Sequence, residues 1–205
     1  MKRQGTVILA AGDFPAKDSE GWKLLENAAR VVCCDSAADA YTRRFRRAPA
    51  AVVGDLDSVK RFPENSEIIR VDEQETNDLE KALRLCRERG WKSPVVVGAT
   101  GGRDDHFLSN VFRCLAYGVD LVTDAGRFTV VGGEGEQGAR TLKTRKGAAV
   151  SVFATDPATR MNSVGLAWPL DEVKFVNLYC ATLNRATAAT VKLSADRPVY
   201  VFIER

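Results

Sequence analysis

The stretch "AVVGDLDS" (51–58) ends an apolar run with two aspartates one residue apart, Asp55 and Asp57. Like charges so close repel unless a cation offsets them. One such pair is ordinary turn chemistry, because Asp bonds readily to its own backbone in turns. The pattern along the chain is more specific. Asp35 follows "RVVCC"; Asp72, Gln74, Thr76 and Asp78 follow "SEIIRV"; Gly98, Gly101, Gly102, Arg103, Asp105 and His106 follow "PVVV". Several carboxylates facing one cleft suit Mg²⁺, which takes one or two carboxylates plus substrate phosphates. Glycines ahead of a helix let backbone approach a ligand closely, and the free N–H groups of a helix start favour an anion. Arg103 would add a bidentate phosphate contact. Metal-binding acids beside a phosphate-binding loop point to a nucleotide enzyme that transfers a phosphoryl-type group.

Each piece has a plainer reading when taken alone. Asp78 and Asp105 are acids in first helical turns, where the dipole favours them. "GATGG" (98–102) reads as a loop, and His106, the chain's only histidine, as a structural side chain. Their joint placement at strand exits is what favours the chemical reading.

Those exits require a particular scaffold. "TVILAA" (6–11), "RVVCCD" (30–35), "AAVVGD" (50–55), "SEIIRVD" (66–72), "PVVVGAT" (94–100) and "VDLVTD" (119–124) read as short buried strands. They are β-branched and do not alternate, as in a sheet covered on both faces. Between them, "NDLEKALRLCRERGW" (77–91) places Leu79, Ala82, Leu83 and Cys86 on one helical face and ends on Gly90. "RDDHFLSNVFRCLAYG" (103–118) repeats this with Phe107, Val111, Leu115 and Gly118. Strands alternating with helices predict a parallel, Rossmann-like α/β sheet, whose ligands bind beyond the strands' carboxyl ends.

After about residue 126 turn residues recur every few positions, with glycines at 132, 133, 135 and 138. "TAATVKLSADRPVYVFIER" (187–205) alternates in two pieces around a turn. An antiparallel β-sandwich is predicted here, giving an α/β domain over 1–130 and a β-sandwich domain over 131–205.

A chain of 205 residues with 45% hydrophobic and 28% charged residues is an ordinary globular composition. A net charge of +3 gives no reason to expect nucleic acid. The one dense basic run, "YTRRFRRAP" (41–49), reads as a solvated helix end. Five cysteines, without Cys-x-x-Cys spacing, predict a reducing compartment. No stretch reads as a signal peptide or membrane span, so a cytoplasmic protein is expected. There is no G-x-x-x-x-G-K-[ST] and no G-x-G-x-x-G after the first strand, and one histidine excludes the usual His-rich zinc sites.

"GDLDS" (54–58), "QETNDLEKAL" (74–83) and "GATGGRDDHFLSN" (98–110), in this order and spacing, resemble the thiamin pyrophosphokinase (thiamin diphosphokinase) family; "GLAWPL" (165–170) resembles its C-terminal Gly-Leu-x-aromatic-Pro-Leu segment. The resemblance implies an α/β catalytic domain, a β-sandwich domain and a homodimer. It also implies Mg²⁺-dependent transfer of the pyrophosphoryl group of ATP to the hydroxyl of thiamin, with AMP released. Carried over by position, Asp55, Asp57 and Asp78 would hold Mg²⁺. Arg103, Asp105 and Gln74 would lie around the nucleotide and reacting phosphates, with Asp35, Lys81, Gly101, Gly102 and His106 also in the site. The family's thiamin-contacting Ser-Asn loop corresponds to "ATLNRAT" (181–187), which supplies Thr182 and Asn184; Trp168 is the candidate to stack on thiamin, or a core residue. Asp55, Asp78 or Asp105 would accept the hydroxyl proton.

Three positions depart from the family pattern. "DSAAD" (35–39) replaces Asp-Gly-Gly, Asn77 separates Thr76 from Asp78, and Leu183 stands where Ser is expected. A non-catalytic thiamin- or nucleotide-binding homologue, and another Mg²⁺-dependent Asp-x-Asp phosphotransferase or phosphatase, are the alternatives.

Overall fold

The computed structural model describes residues 4–133 and 138–205; Gly135 of the glycine cluster lies outside them. The chain divides into two compact units, Met1–Asp124 and Ala125–Arg205.

The first unit alternates six strands with four helices. The strands are β1 (Gln4–Leu9), β2 (Ala28–Cys34), β3 (Ala51–Gly54), β4 (Glu67–Arg70), β5 (Val95–Val97) and β6 (Asp120–Val122). The helices are α1 (Glu20–Asn27), α2 (Ala37–Phe45), α3 (Asp78–Glu88) and α4 (Asp104–Ala116). Their order is β6-β5-β1-β2-β3-β4, and every pairing among them is parallel. The chain winds outward from β1 to β4, then returns to the other side of β1. The winding direction thus reverses between β1 and β5, the position in an open α/β sheet where ligands bind beyond the strands' carboxyl ends. All four residues of β3 are buried, as expected for strands covered on both faces. Val7, Leu9, Cys33 and Val52 form a core with Leu25 of α1 and Tyr41 of α2.

The helix ends follow the sequence signals. The Ser19 side chain accepts the Trp22 N–H at the start of α1. Past α3, the Gly90 and Trp91 N–H groups return to the Arg87 and Cys86 carbonyls; past α4, Gly118 and Val119 do the same to Leu115 and Cys114.

Two expectations are corrected. β4 is not buried: it is the edge strand, exposed along most of its length, with Ile68 39% exposed. An edge strand has one neighbour, and charged Glu67 and Arg70 keep its open side wet. The basic run is also not simply a solvated end. Arg43 and Arg44 do lie in the last turn of α2, but Arg44 sits over the Phe14 ring at 4.3 Å. Arg47 donates to the Glu26 carbonyl at 3.0 Å and to the Leu25 carbonyl and Tyr41 hydroxyl. It thereby satisfies carbonyls at the end of α1, which have no intrahelical partner.

The second unit contains β7 (Gly126–Val131), β8 (Ala139–Lys143), β9 (Ala149–Phe153), β10 (Met161–Val164), β11 (Ala181–Arg185), β12 (Thr190–Ala195) and β13 (Val199–Glu204). They form two antiparallel arrays, β11-β9-β13-β7 and β10-β12-β8. Alternating residues such as Val150, Val152, Val191, Leu193, Val199 and Val201 fill one core. This is the predicted two-domain class, a parallel α/β sheet followed by antiparallel β-structure. Among the described residues no helix is long and apolar enough to cross a membrane.

Candidate active site

A cleft of about 300 Å³ lies at the crevice of the first unit, lined by the ends of β1, β2, β3 and β5 and the starts of α3 and α4. Asp55, Gln74, Asp78, Lys81, Gly102, Arg103 and His106 all face it. A larger hollow of about 400 Å³ at the far ends of α3 and α4 has Leu83, Trp91 and Tyr117 in its wall and no carboxylate, so the acid chemistry is not there.

The acids converge because short strands end together. Asp35 leaves β2 with φ 44 and is 6% exposed. Asp55 and Asp57 leave β3 around Leu56, whose φ is 66. A left-handed backbone costs a non-glycine residue about 1–2 kcal/mol, and such strain concentrates at functional sites. The turn is braced by the Asp57 N–H, which donates to Asp55 Oδ1 at 3.4 Å, and by the Ser58 hydroxyl, which donates to Asp57 Oδ1 at 2.8 Å. One carboxylate oxygen each from Asp35, Asp55 and Asp57 lie within 4.8 Å of one another. Gly54 allows this crowding: a Cβ there would sit 3.2 Å from both Asp35 Cβ and Asp78 Cγ.

Asp78 opens α3 on the other side of Gly54. Asn77 caps the helix, its Oδ1 accepting the Glu80 N–H at 3.0 Å. Asn and Thr serve alike at this position, so the interrupted Thr-Asp pattern leaves a working cap immediately ahead of Asp78. Asn77 Nδ2 donates to Asn110 Oδ1 at 2.9 Å, tying α3 to α4. Lys81 is buried and ion-paired to Asp78 at 3.2 Å. Gln74 Nε2 donates to Asp55 Oδ2 at 3.4 Å.

Electrostatics separates the carboxylates into two kinds. Burial raises the pKa of Asp35 and of Asp78, the latter against the pull of Lys81. The Asp57 N–H lowers that of Asp55, and the Arg103 guanidinium lowers that of Asp105. Asp35 Oδ1 is buried with no hydrogen-bond partner among the described residues. An unpaired buried carboxylate oxygen beside two more acids fits a hard divalent cation. The pairing differs from the sequence expectation in one respect: the mutually close trio is Asp35, Asp55 and Asp57, while Asp78 stands with Lys81.

The phosphate side is built by α4. Arg103 precedes the helix without a side-chain cap, and its guanidinium meets Asp105 at 3.1 and 2.6 Å. Both are exposed, so the pair can open toward a ligand. Gly101 has φ 77, and a Cβ there would fall 1.8 Å from Asp13 Oδ2; only glycine lets this loop close on the β1 exit. Asp13 and Gly12, bonded through their N–H groups to the Thr100 and Gly98 carbonyls, complete the crevice. Their signal in the sequence is a glycine at the exit of the first strand.

Trp168, Thr182 and Asn184 belong to the second unit. Trp168 is 60% exposed, not a core residue. Asn184 is buried, accepts the Trp168 N–H at 3.2 Å and donates to its carbonyl at 2.6 Å. Thr182 donates its hydroxyl to the Tyr179 carbonyl at 2.9 Å. Leu183 is 83% exposed with φ 65, at a register shift of β11. The buried Cys33 and Cys34 thiols are pushed far up by desolvation, so neither is a nucleophile.

Residues 22–121 match the model of the thiamin pyrophosphokinase catalytic domain. Solved structures share the fold at low identity. A thiamin pyrophosphokinase family protein from Enterococcus faecalis superposes with a TM-score of 0.77 at 16% identity, over 98% of this chain and 99% of its own. Thiamine pyrophosphokinase from Bacillus subtilis gives 0.73 at 16%, over 97% and 98%; yeast thiamin pyrophosphokinase gives 0.70 at 14%, over 100% and 87%. Comparison with curated protein sequences yields no match. The cleft's acids and its glycine–arginine loop lie on the residues that the family model matches, and over that stretch the chain is similar to the thiamin pyrophosphokinase catalytic domain.

Proposed function

We propose that this chain is a thiamin diphosphokinase: it transfers the pyrophosphoryl group of ATP to the hydroxyl of thiamin, releasing AMP. The observation that carries this reading is the meeting of Asp55 and Asp78 with the Arg103 loop in one cleft, with Asp35 and Asp57 beside Asp55. Asp55, Asp57 and Asp78 would hold Mg²⁺, with Asp35 and its unpartnered oxygen as a fourth carboxylate. When bound, the ion neutralises charge on the phosphates of ATP.

The side chains then have separable tasks. Gln74 orients Asp55, and Lys81 fixes Asp78. Arg103, released from Asp105, and the start of α4 bind phosphate oxygens, with Gly101 and Gly102 allowing close approach and His106 at the rim. The thiamin oxygen bonds to the β-phosphorus as the bond to the AMP oxygen breaks. The hydroxyl proton passes to a cleft carboxylate, Asp55, Asp78 or Asp105. Positioning and charge do most of the work.

The second unit supplies thiamin recognition and a homodimer contact. Trp168 offers an exposed ring to the cationic thiamin, and Asn184 sets that ring's backbone. Thr182 lies on the same strand as Asn184. Exposed Trp168, Val176, Tyr179 and Leu183 support a second copy as the covering partner. Five free cysteines support a cytoplasmic setting.

The test is product analysis after incubation with thiamin, ATP and Mg²⁺. Equal amounts of thiamin diphosphate and AMP are expected. Free phosphate, or no thiamin-dependent AMP, would refute the assignment, and tight thiamin binding without turnover would mark a binding homologue.

A further inference from the structure

The basic run that the catalytic reading leaves unused lines a second hollow. It has a volume of about 550 Å³ and lies between α2 and the segment joining β3 to β4. Five cationic side chains and two carboxylates line it. Arg47 is spent on the end of α1, and Asp39 accepts the Lys60 N–H at 3.1 Å. Arg43, Arg46, Lys60 and Arg61 remain, and among the described residues none of these four side chains has an ion-pair or hydrogen-bond partner.

Two further oddities fall in the same wall. Among the described residues Thr42 Oγ1 is buried without a hydrogen-bond partner, although its helix position would allow a bond back to the preceding turn. Arg46 ends α2 in the left-handed conformation, φ 50, where glycine or asparagine is the usual occupant. Among the described residues, four cations without protein partners therefore line one hollow, and one of them, Arg46, is strained.

We propose that this hollow is an anion site distinct from the catalytic cleft, and that it takes a compact polyphosphate: free di- or triphosphate, or the phosphate tail of a nucleotide. Arg43 in the last turn of α2, Arg46 at its cap, and Lys60 with Arg61 on the crossing segment bring four cations to a hollow whose carboxylates are Asp39 and Glu64. Guanidinium groups favour phosphate through paired, planar hydrogen bonds. Binding needs no divalent metal, because the site supplies its own positive charge. The proposal does not rest on the thiamin diphosphokinase reading; it stands or falls without turnover.

The test is calorimetric titration of the full chain with inorganic tripolyphosphate in metal-free buffer at low salt. One saturable site is expected, weakening steeply as salt is added. Arg43→Ala with Arg61→Ala should weaken it at least about tenfold. Arg46→Gly is the control for folding, because it relieves the left-handed strain while removing a cation; it should keep or raise the Tm and still weaken binding. ATP competing with tripolyphosphate while AMP does not would assign the site to the triphosphate tail, and tripolyphosphate binding alone would assign it to free polyphosphate. No saturable binding without metal, or binding unchanged in these variants, would overturn the proposal. So would a single-stranded oligonucleotide that binds more tightly than tripolyphosphate and is insensitive to the variants.

Discussion

The two units treat their polar groups in opposite ways. In the first, strand exits gather carboxylates: among the described residues Asp35 Oδ1 has no hydrogen-bond partner, and one carboxylate oxygen each of Asp35, Asp55 and Asp57 lie within 4.8 Å of one another. In the second, polar side chains near the candidate thiamin segment are already occupied. Asn184 is bonded at both ends to Trp168, and Ser163 accepts the Leu170 N–H at 2.8 Å. What the second unit leaves open is apolar: Trp168, Val176, Tyr179 and Leu183. Unsatisfied charge marks the place for an ion and phosphates. Satisfied polar groups beneath exposed rings leave faces suited to stacking on a flat ring or to another apolar surface.

Substitutions can break this contrast. The largest effect is expected for Asp57→Asn, which should lower Mg²⁺-dependent turnover by roughly 10³-fold, an electrostatic loss of the size typical for catalytic groups. Its circular dichroism should match the parent, because Asp57 is exposed; near-normal turnover would remove Asp57 from the metal set. Next come Asn184→Ala and Trp168→Ala as a pair. Asn184→Ala should cost about 1–3 kcal/mol of stability by chemical denaturation, through loss of a buried amide's bonds. Trp168→Ala should change stability by less than about 0.5 kcal/mol yet raise the KM for thiamin. Equal destabilisation by both would show that Trp168 is a packing residue.

Asn77→Ala should cost about 1–3 kcal/mol through the lost cap and the lost bond to buried Asn110, readable as a lower denaturation midpoint. Asn77→Thr should recover only the cap's share, since Thr caps but cannot donate to Asn110. The smallest effect concerns the metal-free protein. Burial raises the pKa of Asp35 and Asp78 above 3.8 in the fold. The folded chain then holds protons more tightly than the unfolded chain just above that pH. Stability from these groups falls as pH rises through the window and stays reduced above it. Asp35→Asn should therefore raise the Tm at pH 7 by about 2 °C and have no effect near pH 3. A lower Tm at pH 7 would mean that Asp35 makes a stabilising bond in the fold.

Much of this was legible in the sequence. The strands of the first unit show as uninterrupted β-branched runs, and α3 and α4 as apolar faces ending in glycine. Because a parallel sheet delivers its strand ends to one edge, the exits could be compared without coordinates. The departures have local causes. "SEIIRV" resembles the buried runs, but its place at the sheet edge is a property of strand order, which composition does not encode. The arginine run mixes residues with different fates: Arg44 and Arg47 turn to partners on other segments, while Arg43 and Arg46 do not. The pairing of Asp78 with Lys81 could be anticipated from helical spacing, whereas the approach of Asp35 to Asp55 depends on the space over Gly54.

The central claim is that the acid cleft moves a pyrophosphoryl group from ATP to thiamin. Its most direct test follows γ-labelled ATP incubated with thiamin, with and without Mg²⁺. All label transferred should appear in thiamin diphosphate, with unlabelled AMP as co-product and no transfer when Mg²⁺ is removed. Label in free phosphate, ADP as co-product, or transfer that persists without a divalent metal would contradict it.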